Sequence, residues 1–359
     1  MTTNHNQYLN LAFNQAEINL GKTKLNPSVG SIIVKQGSVI SSGITSISGR
    51  PHSEFNALNN NINYKNSNLY VTLEPCTHFG LTPPCVNIIV NKKIKNVYFS
   101  FHDPDKRTYK KAKKILNKNK IYTKKIISKK FENFYESYFQ NKKKKLPFVS
   151  AKIAISKDFY TINKKTKWIT NIHSRKVTHL IRSKFDCVIS TSKSINKDNS
   201  LLNCRINGMD NYKPDLIIID LNLNLKKNLL LKNLNKRRKT YIITTSKNEK
   251  KILFFRKQNY KIIKIKSLQN LHDFDIFFKK IYQLGYGRVL FETGLTFLSE
   301  LIKKKLLNNL YLFQSNKKIK RSGINNISSK YLKKIKLNNV VKVNLNNDKL
   351  YKIRFNKYV

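Results

Sequence analysis

Short apolar segments alternate with helix-like patterns along this chain, and that alternation restricts its fold more than any other feature. Segments such as Asn96–Phe101 and Cys187–Ser192 are rich in Val, Ile, Phe and Tyr and end at polar residues, which predicts strands. Strands separated by helices are typical of α/β folds, in which helices cover a sheet. We therefore predict an α/β protein, with a mainly parallel, doubly wound sheet in the second half.

The remaining elements are predicted from apolar periodicity. Further strands are expected at Asn68–Glu74, Phe148–Ser156, Leu216–Asp220, Tyr241–Thr245 and Arg288–Glu292. Helices are expected at His5–Leu20, from near His52, from about Pro84, and at His173–Ser183, Asp273–Leu284 and Thr296–Lys304. Two hairpins are expected, at Ser28–Ile44 with a turn at Gly37-Ser38 and at Val340–Lys357 with a turn at Asn346-Asn347-Asp348.

Length and proline placement predict two domains. A chain of 359 residues exceeds the size at which single cores stop growing. Six of its eight Pro precede residue 105, so the two halves differ in design. The four-Lys run Lys142–Lys145, followed by Leu146-Pro147, is interpreted as a solvated linker. We place the domains at residues 1–145 and 146–359.

The net charge of +52 is compatible with a nucleic-acid partner, but the predominance of Lys over Arg argues against one. Only 11 of the 71 basic residues are Arg, the side chain that reads phosphates and bases best, and the Lys are dispersed along the chain. Abundant Lys, Asn and Ile share A/T-rich codons, so compositional drift is the favoured explanation. The charge is therefore a weak guide to function.

Hydropathy and cysteine content predict a cytoplasmic protein. No apolar run approaches the length needed to cross a bilayer, and Met1–Asn10 lacks an apolar signal core. Four Cys in such a chain indicate metal ligands or core residues rather than disulfides. Cys187, within an apolar strand, and Cys204, which has no His or Cys nearby in sequence, are interpreted as core or incidental residues.

The strongest chemical signal is a set of three metal-binding side chains, each directly after a Pro. They are His52, Cys76 and Cys85. One imidazole and two thiolates leave the fourth position of a tetrahedral zinc ion for water, which is the catalytic arrangement. Zinc lowers the pKa of such a water to about 7. The motif therefore predicts a zinc ion that activates water.

Glu54 lies two residues after His52 and is predicted to carry the proton. Placed beside the water without binding the metal, it takes the water's proton and delivers it to a leaving ammonia. This is the described pattern of the zinc deaminases, H-x-E followed by P-C-x-x-C, except that the two Cys are further apart here. Singly, an H-x-E pair is most often a surface or capping pair; together with the Pro-framed Cys it predicts a catalytic zinc site.

The wider motifs resemble the bifunctional riboflavin-biosynthesis deaminase/reductase family. In the first half the match covers Asn26-Pro27-Ser28-Val29-Gly30, Pro51-His52-Ser53-Glu54, the stretch Thr72-Leu73-Glu74-Pro75-Cys76 to Thr82-Pro83-Pro84-Cys85, and Asp103-Pro104. The wide Cys spacing is specific to this family among deaminases. In the second half Lys152–Asp158, Trp168-Ile169-Thr170, Asp198 with Leu202 and Arg205, and Glu292–Thr296 match more loosely.

The resemblance implies a fold and two ligand-binding halves. The first would be a cytidine-deaminase-like three-layer domain, with His52, Cys76 and Cys85 on one zinc ion, Glu54 as proton carrier and Asn26 on the substrate. The second would be a dihydrofolate-reductase-like α/β domain that binds NADPH. NADPH would contact Ala154, Trp168, Ser194, Asp198, Gly294, Leu295 and Thr296. The substrate would contact Thr166, Arg182, Leu202, Arg205 and Glu292.

The implied reactions are deamination of 2,5-diamino-6-(5-phosphoribosylamino)pyrimidin-4(3H)-one and then reduction of its ribosyl group to ribityl. The strand-Gly-helix junction at Gly294 independently suits a pyrophosphate, because helix N-termini bind anions. The partners implied are a small phosphorylated pyrimidine and further copies of the chain, with no nucleic acid and no membrane.

Two alternatives remain open. The family has Gly after its matching Asp and a second Asp with Pro after Asp198, whereas this chain has Phe159-Tyr160 and Asn199-Ser200. These differences allow a deaminase with a degenerate reductase domain. A nucleic-acid deaminase or binding protein is the more remote alternative, since no Arg-rich or aromatic nucleic-acid motif accompanies the charge.

Overall fold

A computed structural model describes residues 4–208, 214–326 and 335–355. The chain divides into two compact units, Met1–Leu146 and Pro147–Val359. Within the described ranges, no helix is both long enough and apolar enough to cross a membrane.

The first unit is built on a five-stranded mixed sheet with strand order β2-β1-β3-β4-β5. Its strands are β1 (Gly30–Lys35), β2 (Ser38–Ile44), β3 (Asn68–Leu73), β4 (Asn96–Phe101) and β5 (Tyr122–Lys125). Its helices are α1 (His5–Ile18), α2 (Ser53–Leu58), α3 (Cys85–Asn91), α4 (Ala112–Lys118) and α5 (Glu136–Lys144). Strand β1 pairs antiparallel with β2 and β3, and the other pairs are parallel. The predicted first hairpin is confirmed.

Apolar side chains cover both faces of this sheet, because neighbouring strand residues point to opposite sides. Ile33 packs in one buried cluster with Leu69 and Phe99, whereas Ile32 packs in another with Tyr70. Helix α2 lies tightly on the sheet at Gly43, where an added Cβ would approach Ser53 O to 2.2 Å. That close contact fixes the start of α2, and with it His52, against the sheet.

The second unit contains an eight-stranded sheet with strand order β11-β10-β9-β8-β12-β6-β13-β15. Its strands are β6 (Phe148–Ile155), β8 (Cys187–Thr191), β9 (Asp215–Ile219), β10 (Thr240–Thr244), β11 (Tyr260–Lys264), β12 (Arg288–Phe291), β13 (Asn309–Gln314) and β15 (Lys349–Arg354). Every pair is parallel except β13 with β15. A separate ribbon joins β7 (Tyr160–Asn163) to β14 (Gly323–Asn326).

The α-helices found in the described part of this unit pack with these strands. They are α6 (Ile172–Ser183), α7 (Ser192–Asp198), α8 (Glu249–Lys257), α9 (Leu271–Gln283) and α10 (Leu295–Lys303). The sheet is buried on its central strands, where Val188, Leu216, Ile218, Ile242 and Leu290 form one apolar cluster. The predicted α/β class and mainly parallel second sheet are confirmed.

Two sequence-based expectations need correction. The run Lys142–Lys145 is not a linker. Its first three residues form the last turn of α5, where their positive charge is stabilised by the negative end of the helix dipole. Lys142 is also held by Asp105, at 3.1 Å.

Between residues 335 and 355, the described part of the tail, there is one strand rather than a two-stranded hairpin. Its first arm contributes a single bridge, Val340 with Tyr351, and β15 pairs mainly with β13. Isolated pairs are weak, so the long edge of the large sheet provides the better partner. The predicted turn is present, with Asn346 and Asn347 at positive φ, whereas Lys357 lies outside the described residues.

Candidate zinc centre and reductase cleft

The three predicted metal ligands come from three element ends in the first unit. His52 is the N-cap residue of α2, Cys76 follows β3, and Cys85 is the first residue of α3. The backbone N–H of Cys85 donates to Cys76 Sγ at 3.2 Å. The start of α3 thereby stabilises negative charge on the neighbouring sulfur.

The donor atoms have the spacing that zinc requires. His52 Nδ1 lies 3.6 Å from Cys76 Sγ and 3.4 Å from Cys85 Sγ, and all three donors lie within 4.8 Å of one another. Zn–S and Zn–N bonds of about 2.3 and 2.0 Å in a tetrahedron place N and S about 3.5 Å apart. The residues present therefore fit a zinc ion with one open position.

A hydrogen bond between the two thiols moves their pKa values in opposite directions. The hydrogen bond from Cys85, helped by His52, lowers the pKa of Cys76 to about 4. The same hydrogen bond, with burial, raises the pKa of Cys85. Hydrogen bonding to Cys76 raises the pKa of His52. Such a set of partly deprotonated donors, held together in a buried site, is the chemistry expected of a metal centre.

Glu54 is buried beside this group. Glu54 is only 4% exposed, and its Oε2 accepts a hydrogen bond from Ser53 Oγ at 3.0 Å. Burial raises the pKa of Glu54, and the nearby Cys76 raises it further. A carboxyl whose proton affinity is raised in this way is suited to take up a proton and return it.

A second buried carboxylate, Glu74, supports the loop that carries Cys76. It accepts hydrogen bonds from His102 Nδ1 at 2.8 Å and from the backbone N–H groups of Lys110 and Ala112, both at 3.1 Å. The sequence motif included Glu74 but gave it no role. Its position directly before the Pro75-Cys76 pair, in an otherwise apolar strand, was the available signal.

The side chain and backbone of Asn26 form hydrogen bonds with residues other than the three metal donors. Its Nδ2 donates to Gly49 O at 3.4 Å, and its backbone closes a turn with Thr23. Two large apolar residues of the loop between the Cys ligands, Phe79 and Leu81, are 75% and 88% exposed.

In the second unit, predicted residues meet at the carboxyl ends of β8 and β12. Ser194 Oγ accepts a hydrogen bond from the backbone N–H of Gly294 at 3.1 Å, which joins the start of α7 to the start of α10. Gly294 is the N-cap residue of α10, and Leu295 and Thr296 form its first turn. First-turn N–H groups have no partner within their helix, so this junction offers donors to an anion.

Glu292, which follows β12, forms a buried ion pair with Arg182 of α6. Arg182 Nε lies 2.5 Å from Oε1 and a second guanidinium nitrogen lies 3.0 Å from Oε2. Lys152 Nζ of β6 lies 4.0 Å from Oε2. Burial by itself would raise the pKa of Glu292, but the charge and hydrogen bonds of Arg182, with Lys152, outweigh it and lower that pKa.

The same arginine holds the segment that contains Leu202 and Arg205. It donates to Asn203 O at 3.0 Å, and His179 Nδ1 contacts both Asn203 O and the backbone N–H of Arg205. Burial, followed by the charge of Arg182, lowers the pKa of His179 to about 4. Leu202 is buried and Arg205 is exposed. The ring of His179 is therefore neutral at physiological pH.

Other predicted residues are less closely connected. Thr166 and Trp168 lie on an exposed segment, where Thr166 donates to Trp168 O and Arg175 stacks 4.5 Å over the Trp168 ring. Asp198 is an exposed residue at the end of α7, and Ala154 is a half-buried residue of β6. The described contacts do not join Thr166 or Trp168 to Glu292.

Sequence reasoning gave Lys152 no role in the site. Burial lowers the pKa of Lys152, while Glu292 opposes that effect. A charged side chain within the apolar run of β6, two residues before Ala154 on the same face of the strand, was the signal. A largely buried Lys beside a carboxylate is a candidate functional residue.

Comparisons with known proteins agree with both halves. The cytidine and deoxycytidylate deaminase zinc-binding region matches residues 2–101, and the RibD C-terminal domain matches residues 147–317. These matches indicate zinc for the first unit and a nicotinamide cofactor for the second, with small-molecule substrates.

Full-length relatives match as well. Riboflavin biosynthesis protein RibD of Aquifex aeolicus is 30% identical over 312 residues, which are 85% of this chain and 85% of that protein. The structure of Acinetobacter baumannii RibD, form 1, has 24% identity and a TM-score of 0.82, with 98% of each chain covered. The Thermotoga maritima diaminohydroxyphosphoribosylaminopyrimidine deaminase/5-amino-6-(5-phosphoribosylamino)uracil reductase gives the same identity, TM-score and coverage.

The two solved structures confirm the fold, and the sequence match extends the agreement to the family. The resemblance inferred from the motifs is thereby confirmed. The chain belongs to the RibD family of riboflavin biosynthesis enzymes and joins a zinc-dependent deaminase to a reductase.

Proposed function

We propose that this chain catalyses two successive steps of riboflavin biosynthesis in the cytoplasm. The first is hydrolytic deamination of 2,5-diamino-6-(5-phosphoribosylamino)pyrimidin-4(3H)-one to 5-amino-6-(5-phosphoribosylamino)uracil. The second is NADPH-dependent reduction of the ribosyl group to ribityl. The observation that carries the proposal is the presence, in one chain, of a buried zinc-type donor set and a separate buried Arg-Glu-Lys cluster.

In the first step, His52, Cys76 and Cys85 hold one zinc ion. Bound zinc supplies a water that is acidic enough to attack at neutral pH. The donors fill three tetrahedral positions, so the open side is the side on which water and substrate must meet. The carbon that bears the 2-amino group gains a bond to the water oxygen and loses its bond to nitrogen.

Glu54 moves the protons of this step. Its carboxylate takes one proton from the attacking water and returns it to the amino nitrogen, which leaves as ammonia. Ser53 fixes the carboxylate through the 3.0 Å hydrogen bond to Oε2, and burial keeps its proton affinity high. Asn26 contacts the pyrimidine in this proposal, as the matching position does in the family motif.

In the second step, the junction between Ser194 and Gly294 holds the cofactor pyrophosphate at the start of α10. The cofactor contacts also include Ala154, Trp168, Asp198, Leu295 and Thr296. Bound NADPH supplies the hydride that reduces the ribosyl carbon attached to nitrogen, which opens the sugar. The first-turn N–H groups and the helix dipole match the charge of a pyrophosphate.

The substrate of the second step lies against Glu292, Arg182, Leu202, Arg205 and Thr166. Arg182 orients Glu292 through two hydrogen bonds and also holds Asn203 O, so one side chain positions the predicted substrate contact Glu292 and the residue directly after Leu202. Lys152 adds a positive charge 4.0 Å from Glu292. These groups supply placement and electrostatics, and the cofactor supplies the hydride.

The test is zinc content together with both half-reactions on one preparation. We expect one zinc per chain, ammonia release from the diaminopyrimidine, and NADPH oxidation that depends on the deaminated product. Ammonia release without NADPH oxidation would remove the reductase half and favour the degenerate-reductase alternative. Deamination that survives complete zinc removal would contradict the zinc assignment.

A further inference from the structure

A basic pocket lies at the amino ends of β9, β10 and β11 in the second unit. Its volume is about 910 Å³. It is lined by Asp215, Asn235, Lys236, Arg237, Arg238, Lys239, Arg256, Asn259, Tyr260, Lys261 and Ile262. The reductase residues Ser194 and Glu292 instead follow the carboxyl ends of β8 and β12. The pocket therefore lies at the other end of the sheet's strands from that cleft.

The lining carries a strongly positive charge, and an unusually large share of that charge comes from Arg. Six of the eleven lining residues are Lys or Arg and one is acidic. Three of the 11 Arg in the whole chain, Arg237, Arg238 and Arg256, line this one pocket, although Lys replaces Arg almost everywhere else. Arg is the better ligand for phosphate because its planar fork donates two parallel hydrogen bonds.

The single acid does not neutralise these charges. Asp215 Oδ1 accepts from the backbone N–H of Lys239 at 2.8 Å, and Oδ2 accepts from Tyr286 Oη at 2.6 Å. In the part of the chain that the structure describes, no carboxylate oxygen lies within 4.0 Å of a side-chain nitrogen of Arg237, Arg238 or Arg256. The carboxylates of the described residues therefore leave these three arginine charges without an ion-pair partner.

Arg238 is buried at the base of the lining with one donor unused. It is 6% exposed, and its two terminal nitrogens donate to the backbone oxygens of Leu202 at 2.8 Å and Leu201 at 2.6 Å. Its Nε–H has no partner among the described residues, and neither has the buried Oδ1 of Asn235. Burial, with the charge of Arg182, lowers the pKa of Arg238 to about 10. Arg238 therefore adds buried positive charge to the lining, while its terminal nitrogens bond to the protein itself.

We propose that this pocket binds a small molecule that carries a pyrophosphate group. Six cations around a pocket of about 910 Å³ match the charge of several phosphate groups, and the exposed guanidinium groups of Arg237 and Arg256 can each donate two parallel hydrogen bonds to them.

The pocket also contacts the segment predicted to bind substrate. Arg238 holds the carbonyls of Leu201 and Leu202, and the next residue, Asn203, is held by Arg182. Pocket and reductase cleft thus share the segment between residues 201 and 203. The test therefore uses residues of the pocket rim, which do not contact this segment.

The experiment is isothermal titration of the zinc-loaded full chain with inorganic pyrophosphate and, separately, with ADP, at 0.15 M salt and with saturating NADPH. The pocket variant combines Lys236→Ala, Arg237→Ala and Arg256→Ala. The control variant combines Lys113→Ala, Lys114→Ala and Lys118→Ala. These three residues are exposed on α4, so their substitution removes the same number of positive charges from the other unit. We expect the pocket variant to weaken pyrophosphate binding at least about tenfold and the control to change it less than about twofold.

Both ligand arms are informative. Equal affinity for pyrophosphate and ADP means that the phosphates alone are recognised, whereas tighter ADP binding means that a nucleotide is recognised; either result supports the site. No saturable binding, equal weakening in both variants, or unchanged binding in the pocket variant would overturn it. A single-stranded oligonucleotide that binds more tightly than ADP and displaces it would overturn it in favour of a nucleic-acid surface.

Folding and catalysis provide the remaining controls. The pocket variant should keep its zinc and both half-reactions, because its three side chains are exposed and lie outside both sites. If the triple variant does not fold, Arg237→Ala and Arg256→Ala are tested singly, and each should weaken binding by a smaller factor. Because the comparison between variants does not depend on NADPH, a failure of the proposed reductase activity leaves this test intact.

Discussion

The zinc centre and the reductase cleft are assembled in opposite ways. The outermost zinc ligands, His52 and Cys85, are 33 residues apart in sequence and reach each other through short loops and helix starts. Arg182 and Glu292 are 110 residues apart and meet only because α6 packs beside the end of β12. The first site is local in sequence, whereas the second depends on the whole sheet.

The two sites also handle buried charge differently. In the first, three donor atoms face one another, and the hydrogen bond between the two thiols lowers the pKa of Cys76 and raises that of Cys85. In the second, Arg182 and Lys152 already balance Glu292 within the protein. The zinc centre therefore needs a bound ion to join its three donor atoms, whereas the ion pair of the reductase site forms as soon as the protein folds. Changes to the two should therefore separate cleanly.

Glu54→Gln should give the largest effect and should be confined to the first site. Without a proton carrier, we expect deamination to fall by about 10²- to 10⁴-fold, while NADPH oxidation with the deaminated substrate is unchanged. Zinc content should stay near that of the unaltered protein, because Glu54 is not among the three donors. Ammonia release and metal analysis measure the two properties.

The matched comparison is Cys85→Ser, which removes a donor instead of the proton carrier. We expect loss of both zinc and deamination, with weaker folding of the first unit. Full deamination by Glu54→Gln, or full zinc retention by Cys85→Ser, would contradict the assigned roles.

Arg182→Gln should affect the second site alone. It leaves Glu292 buried with only Lys152 nearby, and breaking a buried pair from one side costs about 3–5 kcal/mol. We expect a lower urea midpoint of the second unit, followed by the fluorescence of Trp168, the single Trp of the chain. NADPH oxidation should be lost and ammonia release kept.

The double variant Arg182→Gln/Glu292→Gln separates stability from function. It removes both charges, so part of the lost stability should return while NADPH oxidation stays absent. A double variant as unstable as the single one would show that the pair is not the source of the loss.

Asp186→Asn tests buried charge at the amino ends of the strands, away from both sites. Asp186 Oδ2 accepts from the backbone N–H groups of Gly287 and Arg288, and burial raises its pKa to about 7. The folded protein keeps this proton to about pH 7, whereas the unfolded chain releases it near pH 4. Stability should therefore fall as the pH rises from about 4 to about 7, by at most about 4 kcal/mol.

Asn resembles the protonated acid, so the variant should lose this pH dependence and exceed the unaltered protein in stability at pH 8. Urea midpoints at pH 5 and pH 8 measure it. The half-exposed Asp275→Asn serves as control and should leave the pH dependence in place. A variant that keeps the full pH dependence would exclude Asp186 as its source.

Phe159→Gly should give the smallest effect. Phe159 replaces the family's Gly and has φ of 69°, a left-handed conformation that costs a residue with a Cβ about 1–2 kcal/mol. Because Gly also gains freedom in the unfolded chain, we expect a net stabilisation of up to about 1 kcal/mol, read from Trp168 fluorescence in urea.

Asn199→Gly is the matched control. Asn199 has φ of 45°, but Asn tolerates this conformation and its Oδ1 accepts from the backbone N–H of Leu230 at 3.0 Å. We expect no gain there. Destabilisation by Phe159→Gly would mean that packing of the ring outweighs backbone strain.

The sequence could predict what depends on neighbours in the chain. Strands such as β4 and helices such as α6 follow from apolar periodicity, and the zinc ligands follow from their spacing and Pro framing. Strands β5 and β11 were missed because Lys interrupts their short apolar runs. The Lys142–Lys145 run was misread because a charged helix end and a linker have the same composition.

The sequence by itself determined the α/β class and the two-part organisation, and it identified the residues that we propose as zinc donors and proton carrier. These properties depend on short spacings that local backbone geometry enforces. Only the tertiary structure decided that Arg182 pairs with Glu292, that Lys152 joins them, that β15 closes the edge of the sheet at β13, and that three Arg line one pocket. Those contacts join residues far apart in the chain, and the packing of apolar surfaces, which no short motif encodes, brings them together.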